Sequence, residues 1–183
     1  MLACHDLRTP LATVHGFAHT LARNEDLDET SARYVEMISA ASGQIAELID
    51  DLSVSARLAG DRYDPPLRKV DTMALAQAAA ERLGDERVRV SGEGAHVELD
   101  AEAAERAVGA LARCALRHGG LEQVELAVQG PALALSPVTP ASAPVLLGED
   151  LRDLGAAVAV RVIQARGGGG VAVDGETLMI RFG

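Results

Sequence analysis

Residues 4–11 read CHDLRTPL, and four of them are chemically notable. His5 offers an imidazole that gains and loses a proton near neutral pH. Asp6 beside it can fix the ring's tautomer and raise the basicity of its free nitrogen. Thr9 lies four residues on, one helical turn along the same face if the segment is helical. Pro10 has no N–H, so the carbonyl of Asp6 loses its helical partner and a bend is expected there. An imidazole, a carboxylate and a hydroxyl so arranged make a candidate nucleophilic site. An isolated surface histidine would need no such account. His15 and His19 are read as ordinary surface or flanking residues.

Elsewhere the chemistry-bearing residues are sparse. The two cysteines, Cys4 and Cys114, are far apart, without metal-ligand spacing between them, and read as reduced thiols of a cytoplasmic protein. The run Gly167 to Gly170 follows a predicted helix and precedes a predicted strand, so it reads as a helix C-cap and turn rather than a phosphate loop.

The elements that must hold His5 show in the apolar spacing. Cys4, Leu7, Leu11, Val14, Ala18 and Leu21 recur at steps of three and four. So do Tyr34, Ile38, Ala41, Ile45, Leu48, Leu52 and Ser55. This is the repeat of helices packed side by side. The polar stretch RNEDLDET separates them, with Asp28 as N-cap of the second helix. Two helices joined this way form an antiparallel hairpin whose seam stays half uncovered. A second copy could cover it as a two-fold four-helix bundle, or residues 70–183 could do so.

Pro65 and Pro66 lie in the stretch GDRYDPPLRK and mark a linker, which puts the boundary between a domain at 1–60 and another at 65–183. The second half mixes strands and helices: strand 67–71, a helix capped by Asp71, a hairpin of VRVSG and HVELD around Gly92 and Gly94, and a helix capped by Asp100. Strands VELAV and ALAL then meet at Gly130-Pro131, a helix follows over EDLRDLGAAVAVRVIQARGG, and GVAVDG and TLMIRFG close the sheet. The fold class is α+β.

Composition narrows the function classes. Of the 183 residues, 48% are hydrophobic but only 2% aromatic, so the core must be built from Ala, Leu, Val and Ile. A formal charge of -10 argues against nucleic acid and anionic membrane as partners. No apolar run approaches the roughly 18 residues of a membrane helix, and no signal peptide is visible.

The string HDLRTPLATVHGF closely resembles the phosphoacceptor box of the two-component sensor histidine kinases, H-E/D-L-R-T-P-L, over seven consecutive residues. The resemblance implies that His5 accepts a phosphoryl group, that Asp6 assists as base or orienting group, and that Thr9 positions water when the group is removed. It implies a dimeric hairpin followed by an ATPase-like α/β sandwich. Family members usually have more helix before the histidine, so an upstream segment is expected.

The nucleotide motifs of that family are eroded. Where it carries N-A-L-R-H, with the asparagine helping to hold magnesium, this chain reads CALRH, with Cys114 in the asparagine's place. Where D-x-G-x-G is expected after a strand, ALAL runs into SPVTPASAPV. Of G-x-G-L-G-L, the stretch DLGAAVA keeps Leu154 and Gly155. No ATP, cofactor or metal is therefore expected. The resemblance is then to relay phosphotransferases, with a response-regulator receiver domain as partner and a homodimer as the assembly. The alternatives are a kinase fragment, autophosphorylating or phosphorylated in trans by an intact kinase, and a non-catalytic scaffold for receivers. A phosphatase role toward a receiver is a further activity of the same residues.

Overall fold

A computed structural model describes residues 2–24, 26–60, 62–84, 86–165 and 169–182, with side chains from residue 6 onward. The chain forms two compact units, 1–60 and 61–183.

The first unit is a helical hairpin of α1 (Leu2–Leu21) and α2 (Glu29–Ala59). Asp28 caps α2 as expected: its Oδ1 accepts from Ser31 N at 2.9 Å and its Oδ2 from Ser31 Oγ at 2.7 Å. These bonds, the hydroxyl's first, hold the Asp28 carboxyl below its ordinary pKa. α1 runs unbroken through Pro10.

The single seam expected from the spacing is in fact two faces. Ala18 packs inward on α1, and Val35, Ser42 and Ile49, seven apart, do so on α2. Leu7, Val14, Phe17 and Leu21 of α1, with Tyr34, Met37, Ile38, Ile45, Leu48 and Leu52 of α2, remain 46% to 67% exposed. The heptad positions were right as apolar positions. Their assignment to one hairpin seam was not, because one chain covers only the narrower stripe.

The second unit is a two-layer α/β structure. Its elements are β1 (Arg68–Asp71), α3 (Thr72–Glu81), β2 (Val88–Gly94), β3 (His96–Leu99), α4 (Ala101–Gly119), β4 (Val124–Gly130), β5 (Ala132–Ser136), α5 (Ala143–Leu146), α6 (Leu154–Gln164), β6 (Gly170–Asp174) and β7 (Thr177–Arg181). Five strands form a mixed sheet in the order β2-β4-β5-β7-β6, and β1 pairs with β3 in a separate ribbon. Alternate residues Val124, Leu126 and Val128 of β4, Leu133 and Leu135 of β5, and Leu178 and Ile180 of β7 enter the core. Val108, Leu111, Ala112, Ala115 and Leu116 of α4 and Ala156, Ala159, Val160 and Ile163 of α6 lie in the same core cluster. The opposite face is mixed: Ser91 donates to Glu125 at 2.6 Å at one edge, and Ala127, Ala134, Met179 and Ala172 lie in register across it.

The expected hairpin of VRVSG and HVELD is not there. β2 runs on through Gly92 and Gly94 and pairs in parallel with β4, while β3 pairs antiparallel with β1. Gly92 has φ +99°, and a Cβ there would collide with the carbonyl of Val128. The glycine permits close approach inside a ladder instead of turning the chain. The third long helix also starts later than expected, at Leu154, because Asp153 is the acid that caps it. Of the glycine run, 167 and 168 lie outside the described residues, and Gly170 opens β6.

Candidate functional site

α1 presents three faces at about 100° per residue. The face toward α2 is fastened by side chains. Arg8 donates from Nε and Nη2 to Asp50 Oδ1 at 3.2 and 2.6 Å. His15 Nδ1 lies 2.9 Å from Ser42 Oγ, and that hydroxyl donates to the carbonyl of Ser39 at 2.9 Å. A second face carries the exposed Leu7, Val14 and Leu21. Positions 5, 9, 12 and 16 share the third face, about 100° from the α2 contact and opposite the apolar stripe.

The side chain of His5 lies outside the described residues; its position in α1 is described. Asp6 and Thr9 are exposed, and the Thr9 carbonyl accepts from Thr13 Oγ1 at 3.2 Å. Ala12 and Gly16 are exposed, and a Cβ on Gly16 would meet nothing within 4 Å. Small residues there are not demanded by packing within the chain. His15 was read as a flanking residue, yet it bonds across the hairpin. Its spacing of seven from Arg8, which also reaches α2, was the available signal.

In the second unit, Cys114 sits in the middle of α4 with no exposed surface. Burial, and then the charge of Asp153, push its thiol up to about 12. His118, one turn on, has Nε2 at 3.2 Å from Asp153 Oδ2. Arg117 Nη1 lies 3.7 Å from the same oxygen.

The oxygen donor that the resemblance associates with magnesium in this unit is replaced. A buried neutral thiol stands where an oxygen donor is needed. The segment after β5 folds inward: Val138, Val145 and Leu146 are buried in the core, α5 occupying the stretch where the glycine-rich motif was expected. Ser142 ties that turn together, donating to Thr139 O at 3.2 Å and accepting from Thr139 N at 3.1 Å.

Residues 3–60 match the family model described as His Kinase A (phospho-acceptor) domain. Over 78 residues, 43% of this chain, the sequence is 31% identical to the sensor-like histidine kinase SenX3 of Mycolicibacterium smegmatis (strain ATCC 700084 / mc(2)155). The chain spans 20% of that protein's length. The fold is similar to full-length ShkA, crystallised in complex with AMPPNP, at 21% identity and a TM-score of 0.67, over 98% of this chain and 43% of that one. It is similar also to the histidine kinase AdeS of Acinetobacter baumannii, at 16% identity and a TM-score of 0.59, over 96% of this chain and 94% of that one. No described helix is long and apolar enough to cross a membrane. Residues 3–60 thus match the His Kinase A (phospho-acceptor) domain model, and the chain as a whole, a helical hairpin followed by an α/β unit, has a fold similar to those of ShkA and AdeS.

Proposed function

We propose that this chain is a phosphorelay protein that exchanges a phosphoryl group between His5 and the aspartate of a response-regulator receiver domain, without binding ATP itself. The observation that carries the reading is the contrast between the two units. The phosphoacceptor box is complete in sequence on α1, with Asp6 and Thr9 exposed, whereas a buried thiol and an inward-folded α5 segment stand at the positions the resemblance associates with a nucleotide.

In the transfer, the imidazole lone pair of His5 forms a P–N bond as the P–O bond of the receiver's acyl phosphate breaks. The receiver carboxylate leaves with the electron pair. The proton on the other ring nitrogen passes to Asp6 or to solvent. Thr9, on the same face, holds water for the removal of the group. The receiver brings the phosphorylated carboxylate, so the chain need only present His5. Ala12 and Gly16 leave room for a partner helix beside it.

Two copies pair through the exposed apolar stripes into a four-helix bundle, which brings Leu48, Ile45 and Leu52 out of water. A cytoplasmic location accords with Cys114 being free.

Calorimetry with magnesium and ATP separates this reading from that of a kinase fragment. No heat of binding is expected. A dissociation constant in the micromolar range, about 8 kcal/mol of binding free energy, would favour the fragment. A scaffold acting by occupancy would keep its effect on receivers in His5→Ala, whereas the relay loses it.

A further inference from the structure

We propose that Cys114, His118 and Asp153 form a binding site for a thiophilic divalent cation, zinc in the first instance. One donor atom from each of the three residues lies within 4.8 Å of the other two. Cys114 and His118 are four apart on α4, so they project from one face of one helix. Asp153 comes from a different element, at the head of α6. Its Oδ1 accepts from Ala156 N at 3.1 Å and is thereby fixed, leaving Oδ2 turned toward His118.

The distances suit a tetrahedral ion. Zinc bonds to nitrogen and oxygen of about 2.0–2.2 Å place those two donors roughly 3.3 Å apart. His118 Nε2 and Asp153 Oδ2 are already 3.2 Å apart. The wider span within the trio is at most 4.8 Å, so closure onto an ion needs movement of the order of one ångström and no rearrangement of helices.

The donor set selects the metal. Sulfur, imidazole nitrogen and one carboxylate oxygen suit zinc, whereas magnesium asks for oxygen in octahedral array. Charge closes as well, since one thiolate and one carboxylate neutralise a divalent ion beside a neutral imidazole. The burial is graded: Cys114 has no exposure, His118 and Asp153 have side chains 17% and 13% exposed. The thiol forms the floor, and the open edge provides both an entry path and a fourth coordination position. Without an ion the thiol stays protonated, and Asp153 is shared between His118 and Arg117. Binding releases the thiol proton, and the lone pair of Nε2 turns to the metal with the ring proton on Nδ1. None of this depends on His5 or on phosphotransfer.

Cobalt(II) titration of the full chain tests the site. Cys4→Ser serves as background, so that the other thiol cannot contribute. One equivalent of cobalt per chain is expected, with a thiolate-to-cobalt charge-transfer band in the near ultraviolet that zinc abolishes. Cys114→Ser should remove the band with helical circular dichroism unchanged. His118→Gln, at the partly open edge, and Asp153→Asn, which keeps the cap acceptor, should each weaken binding at least tenfold. These two keep the test decisive should Cys114→Ser unfold the core. Absence of the band, its survival in Cys114→Ser, or unchanged affinity in both His118→Gln and Asp153→Asn would overturn the proposal.

Discussion

His15 and Thr9 show how one helix divides its labour residue by residue. His15 turns toward α2 and meets Ser42, so its imidazole ties the hairpin and is engaged before any partner arrives. Thr9 occupies the face shared with position 5 and is exposed. Thr9→Ala should therefore leave arrival of the phosphoryl group at His5 nearly intact and slow its removal, water-positioning groups being worth roughly a hundredfold; the decay rate of labelled receiver measures it. Asp28 gives a pH signature. Its carboxyl is held below the ordinary value by Ser31 in the folded chain, so the unfolded chain binds more protons on acidification. The cap's contribution is fully present above the ordinary carboxylate pKa and is lost as pH falls through the lower, folded value. Denaturation followed between pH 6 and the acid limb should show this dependence, and Asp28→Ala should reduce it.

Among the elements, a buried hydroxyl at the start of α3 ties the β2–β3 connection to the end of β4. Thr72 Oγ1 donates to the carbonyl of Gly130 at 2.6 Å and accepts from Ala95 N at 2.9 Å. Thr72→Val keeps the shape and strands both partners. It should destabilise the second unit by about 1–3 kcal/mol, read as a lower denaturation midpoint with unchanged slope. The three longer helices of this unit were legible as helices because each begins at an aspartate followed by an apolar period. Asp71, Asp100 and Asp153 all accept from the first turn. Asp153 was hidden because Asp150 precedes it within the same acidic stretch, and Asp150 instead bonds to Arg152. The pairing of β2 was not legible. Gly92 and Gly94 look like turn residues in sequence, and only the parallel neighbour, with the Val128 carbonyl against Gly92, shows that they serve close packing. The helix α5 was likewise unreadable, since it spans four residues after two prolines and rests on the mutual bonds of Thr139 and Ser142. At the candidate site, the string from His5 to Pro10 was legible at once. The trio of Cys114, His118 and Asp153 was not, because its third member joins through the fold.

At the scale of the whole molecule, the hairpin keeps large apolar side chains on one side in water, including Leu48 at 47% and Phe17 at 67% exposed. Such a stripe is what a second copy would cover. Leu48→Glu should turn the dimer into a monomer in sedimentation at micromolar concentration, with helical content largely kept. A wild-type chain that is monomeric there would count against the bundle. The relay itself is tested most directly by incubating the full chain with a receiver domain labelled at its phosphoaspartate and mapping the label. The account predicts acid-labile phosphate on His5, absent from His5→Ala, and formed without ATP. Label that persists in His5→Ala, on His15 or His19 for instance, or no transfer at all from any phosphorylated receiver, would contradict it.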